Sequence, residues 1–162
     1  MKITRSAALP AGVEEAFAVI ATQRYQQDKV EAQAPRATAT VTDQAGGSVL
    51  VRSVRHLPTS GMPGPVVSMV GDTLTITEQQ TWRPAQGDGA RHADLELTVA
   101  GVPLGLVGTI TLSPTGAASS LSINADLTCS IPLFGKKIEE AAKPAIEESI
   151  DHEVSQLTAH LA

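Results

Sequence analysis

Cysteine is nearly missing from this chain. The single Cys129 among 162 residues cannot form an internal disulfide, which fits a reducing cytoplasm. Aromatics are scarce too: Phe17, Tyr25, Trp82 and Phe134 are scattered, no Lys/Arg cluster exceeds two residues, and the net charge is −5. Nucleic acid is bound through basic stripes with stacking aromatics, so that partner class is not expected. The same deficit argues against a polybasic membrane patch. No stretch approaches the ~18 consecutive apolar residues that a spanning helix needs. The opening MKITRSAALPAGVEE has no apolar run between its basic and acidic residues, so no signal peptide is expected.

Catalytic signatures are also wanting. His56, His92, His152 and His160 have no metal-ligand spacing, GVPLGLVG lies between strand patterns rather than before a helix, and FGKK lacks the rest of a P-loop. There is no G-x-S-x-G. No catalytic residue, metal ligand or cofactor is assigned.

What is present describes a globular chain. Apolar residues make up 42% and charged residues 18%, and neither a linker nor a repeat interrupts them, so one domain over 1–162 is expected. KITRSAAL precedes Pro10 as a first strand. Val13, Phe17 and Ile20 recur at helical spacing behind Glu14 and Glu15, and a second short helix is expected around Arg24 to Val30. After Pro35, six segments alternate as strands do: 37–41, 48–57, 73–82, 93–99, 104–112 and 120–131. A long helical pattern then runs to the C-terminus. An antiparallel meander buries one face only when something covers it, and this helix is the available cover.

That order, entered through ALPAGVEEAFAVIATQRYQ, resembles the START-like (SRPBCC) superfamily. HLPTSGMPGPVVSMVGDTLTITEQQTW together with CSIPLFGKKIEE is similar to one subfamily catalogued as a domain of unknown function. The resemblance covers essentially the whole chain and implies an α+β helix-grip fold. In it, a curved antiparallel sheet of about seven strands surrounds a long C-terminal helix, with two short helices after the first strand. It also implies a pocket between sheet and helix for apolar molecules.

Strand alternation assigns the faces. Leu121, Ile123, Ala125, Leu127, Cys129 and Ile131 form one inward row; Leu95, Leu97 and Val99 form another; Leu106, Gly108, Ile110 and Leu112 form a third. Leu74 and Ile76 also point inward, and their parity carries Glu78, Gln80 and Trp82 to the same side. Either these polar positions lie at the open end of the sheet, or a bulge flips the register, or they orient a ligand head group in an apolar pocket. Parity places Val49, Val51, Ser53 and Arg55 together, so Arg55 can partner Glu78, although Arg52 is an equal candidate. Between these strands, residues 57–72 combine Pro and Gly with Met62, Val66, Val67, Met69 and Val70. This segment is read as a plug or as a lid.

In the last helix, Ile146, Ile150, Val154, Leu157 and Leu161 follow Pro144, whereas Ile138, Ala141, Ala142 and Ala145 stand around or before it. The second half anchors the helix, and the alanine-rich half either roofs a space or packs closely on the sheet. Lys136, Lys137, Glu139, Glu140, Lys143, Glu147 and Glu148 are assigned to its wet face. The expected function is binding or transport of a hydrophobic small molecule, a lipid or acyl-type metabolite. The expected lining is Glu78, Gln80, Trp82, Arg55, Met62, Met69, Leu97, Ile110, Ile123, Leu127, Cys129, Ile138, Ala142 and Ala145. Two alternatives stay open: an enzyme using Glu78 as general acid or base, and a protein-interaction module using 62–70.

Overall fold

The alternating segments do form strands, and the helical periods do form helices. A computed structural model describes residues 1–162 in the order β1 (Lys2–Leu9), α1 (Val13–Ile20), α2 (Gln23–Gln33), β2 (Thr38–Asp43), β3 (Val49–Pro58), α3 (Gly64–Val70), β4 (Thr73–Trp82), β5 (Arg91–Val99), β6 (Val102–Thr115), β7 (Ala118–Cys129) and α4 (Gly135–Leu161). The seven strands make one antiparallel sheet in the order β1-β7-β6-β5-β4-β3-β2. It is the helix-grip arrangement: β2 to β7 meander, β1 closes on β7, and α4 lies against β7 and β1. No helix is long and apolar enough to cross a membrane.

The inward rows expected from alternation are buried, including Leu95, Leu97, Val99, Leu106, Ile110, Leu112, Leu121, Ile123, Leu127 and Ile131. At one inward position the sheet leaves no room for a side chain. Gly108 pairs with Ala125, and a methyl group on Gly108 would run into the Asn124 carbonyl and Ala125. The one register irregularity lies at Thr98/Val99, between β5 and β6. Strand β4 pairs without interruption on both sides, so Glu78 and Gln80 keep the inward parity of Leu74.

An outer strand leaves unpaired backbone groups, which invite another chain. At β2 this edge is covered by two glutamines one turn apart on α2. Gln23 donates to the Ala39 carbonyl (2.6 Å) and accepts from the Val41 amide (3.0 Å). Gln27 donates to the Ala37 carbonyl (2.9 Å) and accepts from the Ala39 amide (2.9 Å). Each side-chain amide thus behaves as a peptide unit of a missing strand.

Helix α1 covers the far end of the sheet. Phe17 tilts against Trp82 with ring centroids 5.6 Å apart, and the Arg91 guanidinium lies 3.8 Å over the Phe17 ring while binding Glu14 through two hydrogen bonds. Helix α4 continues through Pro144, which is exposed. Ile138, Ile150 and Leu157 are its fully buried large residues, with Ile146, Val154 and Leu161 packed partly against the core. Burying Ile150 and Leu157 contributes about 1.5–3 kcal/mol each. Gly135 starts the helix hard against the Cys129 carbonyl, where a side chain would collide.

Two residues assigned to the wet face of α4 have structural partners instead. Glu139 accepts the Cys129 amide (3.1 Å) and the Met1 ammonium (3.4 Å), and Glu147 pairs with Arg5 of β1 at 2.7 Å. Both lie on the flank where α4 leans on the β7–β1 edge, which helical periodicity alone does not reveal. Within the apolar segment at 62–70, Gly64–Val70 form the short helix α3, with Val66 buried and Val67 and Met69 exposed.

Candidate functional site

The space between sheet and α4 is open. A cavity of about 560 Å³ is lined by 30 residues, 20 of them hydrophobic. Its floor comes from inward positions of β4 to β7 (Leu74, Ile76, Leu95, Leu97, Val99, Leu104, Leu106, Ile110, Ile123 and Leu127), and its roof from Ile138, Ala141, Ala142, Ala145, Ile146, Ser149 and Ile150 of α4. Alanine at three roof positions leaves room that leucine would fill. The mouth is marked by lining residues that are also exposed: Ala32, Gly61, Ala141, Ala145, Glu148 and His152. Met62, Pro63 and Val66 stand beside it.

One wall is polar. The Trp82 indole donates to Gln80 Oε1 (3.1 Å), and Gln80 Nε2 donates to Glu78 Oε1 (2.8 Å). Arg55 donates to Glu78 Oε2 (3.0 Å) and, from its other terminal nitrogen, to Gln33 Oε1 (2.6 Å). Ser149 of α4 donates to the same Gln33 oxygen (2.9 Å). The chain of bonds therefore crosses from β4 through β3 and α2 to the roof. Next to it, Lys29 pairs with Glu153 at 3.1 Å. Burial works to raise the Glu78 pKa, but the positive charges of Arg55 and Lys29 and the Gln80 hydrogen bond outweigh it, leaving the carboxyl below the usual range. Glu78 is therefore an ionised acceptor at neutral pH, opposite to what a general acid requires, and its two oxygens accept from Gln80 and Arg55 rather than standing free as a general base. Burial, with the Glu153 carboxylate beside it, drives the Tyr25 phenol far upward, so Tyr25 stays neutral.

Of the residues singled out in the sequence, Glu78, Gln80, Arg55, Met62, Leu97, Ile110, Ile123, Leu127, Ile138, Ala142 and Ala145 all line this cavity. Arg55 rather than Arg52 faces inward; Arg52 is exposed. Trp82, Met69 and Cys129 are placed elsewhere. Trp82 is fully buried under Phe17, one hydrogen bond behind Gln80. Cys129 lies where Gly135 presses α4 onto the end of β7. Met69 is on the solvent side of α3.

Lys29, Gln33, Ser149 and Glu153 were not singled out in the sequence. Helix α2 reads QRYQQDKVEAQ, too polar to suggest an inner face. Its inward set of Tyr25, Gln26, Lys29, Val30 and Gln33 nonetheless follows helical spacing, and that periodicity was the available signal. The interior open beneath α4 also differs from the filled interior expected of a pure interaction module.

A family model described as "Protein of unknown function (DUF2505)" matches residues 4–161. A comparison with curated proteins yields no match. Among solved structures, the chain is similar to the Zhui aromatase/cyclase from Streptomyces sp. R1128, at 12% identity and a TM-score of 0.67, covering 99% of this chain and 93% of that one. It is similar to a STAR-related lipid transfer protein from Xanthomonas axonopodis at 15% identity and a TM-score of 0.64, covering 99% and 85%. The human StarD13 lipid transfer and protein localization domain aligns at 11% identity and a TM-score of 0.59, covering 99% and 77%. At such identities these likenesses establish the START-like fold alone.

Proposed function

The chain belongs to the DUF2505 family, and from its helix-grip cavity we propose that it binds and carries a hydrophobic small molecule, with no dedicated catalytic machinery. The supporting observation is the cavity itself, whose volume of about 560 Å³ and largely hydrophobic lining fall within the ~300–1,000 Å³ of ordinary ligand sites. Lipid transfer proteins among the structural neighbours favour lipid or acyl-type ligands. Leu97, Ile110, Ile123, Leu127, Ile138, Ala142 and Ala145 provide the apolar wall, and Met62 adapts the mouth.

Glu78, Gln80 and Arg55 orient the head group. In both ion pairs of the polar wall the carboxylate is more exposed than its cation: Glu78 17% against Arg55 9%, and Glu153 19% against Lys29 4%. An entering ligand meets acceptors first, so an uncharged head group with a hydroxyl or amide donor is favoured over a free carboxylate. Native mass spectrometry of protein purified from its own host, followed by solvent extraction, tests the reading. A bound apolar molecule is expected. Protein that carries none, and that fails to enhance the fluorescence of N-phenyl-1-naphthylamine, would refute it.

A further inference from the structure

Two features of the turn entering α4 cost the fold stability, and they sit side by side. Leu133 adopts the left-handed conformation (φ 69°) and is 95% exposed, followed by Phe134 at 44%. A leucine held there is strained, and its exposure gains nothing from burial. Lys136 and Lys137 then occupy the first turn of α4, exposed and without an ion-pair partner. The positive end of the helix dipole disfavours cations in that turn. Neither pair is explained by packing.

The strand end that leads into the tip runs beside the start of β6, and an apolar helix flanks that strand in turn. Ser130 donates to the Pro103 carbonyl (3.0 Å) at the start of β6. Helix α3 flanks the turn just before it, with the Val70 side chain 3.5 Å from where a Gly101 Cβ would lie. Met69 and Val67 are the exposed apolar side chains of that helix. The cavity begins one helical turn beyond the tip, at Ile138, whose amide donates to the Phe134 carbonyl (3.0 Å).

From this we infer that the Leu133–Phe134 tip, with Lys136 and Lys137 behind it, docks on an anionic lipid bilayer, with α3 as a second apolar contact. Charge complementarity selects the partner: a protruding apolar pair offers no groove for a folded partner, and two unpaired lysines sit where anionic head groups would lie. Two lysines fall short of a polybasic patch, but membrane association needs a pair of signals, and the apolar wedge is the other. The net charge of −5 makes the attachment weak, reversible and sensitive to salt.

The test is co-sedimentation of the full chain with vesicles of phosphatidylcholine, alone or mixed with phosphatidylglycerol. It needs no cargo in the cavity. The wild-type chain is expected to bind the mixed vesicles better, and salt to weaken that binding. Lys136→Gln and Lys137→Gln should each reduce affinity about fivefold. The double variant Leu133→Gly, Phe134→Ser should reduce it more than tenfold while its melting temperature stays level or rises, because glycine accepts the left-handed backbone and serine can cap the helix. Equal binding by that variant and the wild type overturns the inference. So does failure of the wild type to bind mixed vesicles, which would assign the tip to a protein partner, and so does a dimer that the double variant abolishes.

Discussion

Arg55 of β3 and Glu78 of β4 meet at 3.0 Å on the inner face of an otherwise apolar cavity. They are not paired across the sheet, where Arg55 faces Ile76 and Glu78 faces Ser53. They are diagonal neighbours on one face, within reach of long side chains. Removing one partner leaves the other buried and uncompensated, which costs about 3–5 kcal/mol. Glu78→Gln is expected to lower stability in urea by roughly that range, whereas Arg55→Met with Glu78→Leu should restore much of it. A single variant as stable as the wild type would place the pair outside the low-dielectric interior.

The same pair sets a pH dependence. Glu78 titrates below its ordinary range when folded, so its contribution is fully present above the unfolded carboxyl pKa of about 4.3 and is lost as pH falls through the lower folded value. Wild-type stability should therefore fall more steeply than that of Glu78→Gln as pH drops below about 4. Parallel curves from urea melts at several pH values would contradict this.

Trp82 should report on the cavity without touching a ligand. It is the one tryptophan, and its indole is tied to Gln80, which lines the cavity. An apolar ligand that perturbs Gln80 is expected to change Trp82 emission, and Gln80→Leu should uncouple the two for whatever ligand the weakened site still takes up. Emission that responds equally in both proteins would mean another route of coupling.

Filling the roof tests the space directly. Ala142→Phe places a large side chain into the cavity beneath α4. Binding of N-phenyl-1-naphthylamine should fall at least tenfold, with a melting temperature unchanged or higher, since the residue fills a void instead of displacing packed atoms. By contrast, Gly108→Ala forces a methyl group against Asn124 and Ala125 of β7 and should cost about 3 kcal/mol.

The glutamines on α2 lead to a prediction about solubility. Gln23→Ala with Gln27→Ala frees backbone groups at Ala37, Ala39 and Val41 of the outer strand. Faster concentration-dependent aggregation is expected in light scattering, alongside a modest loss of stability.

Alternation in β4 to β7 was enough to choose the inner face, because a strand of period two has only two faces and one of them must be buried. It therefore brought Glu78 and Gln80 inward along with Leu74, and parity in β3 left only Arg52 or Arg55 to meet them. Trp82 shows the limit of that reasoning. It shares the face, but α1 covers that end of the sheet, so the position is packed rather than open. Cys129 fails for the same reason at the opposite end, under Gly135. Met69 falls outside because its segment is a helix with an outer side.

The stretch from Ser130 to Ile150 holds both kinds of information. Read on to Leu161, its composition leads to an α4 anchored beyond Pro144, where five large apolar residues follow, whereas the cavity lining runs from Ile138 past the proline to Glu153 and takes in Ile146 and Ile150. Whether small residues enclose a cavity or permit close packing depends on the distance between helix and sheet, which no local pattern encodes. That distance is set by Gly135 against Cys129, by Arg5 holding Glu147, and by the ties from Gln33 to Arg55 and Ser149. All but the first join residues well separated in the chain, so only the tertiary structure decided that the alanines roof an open space.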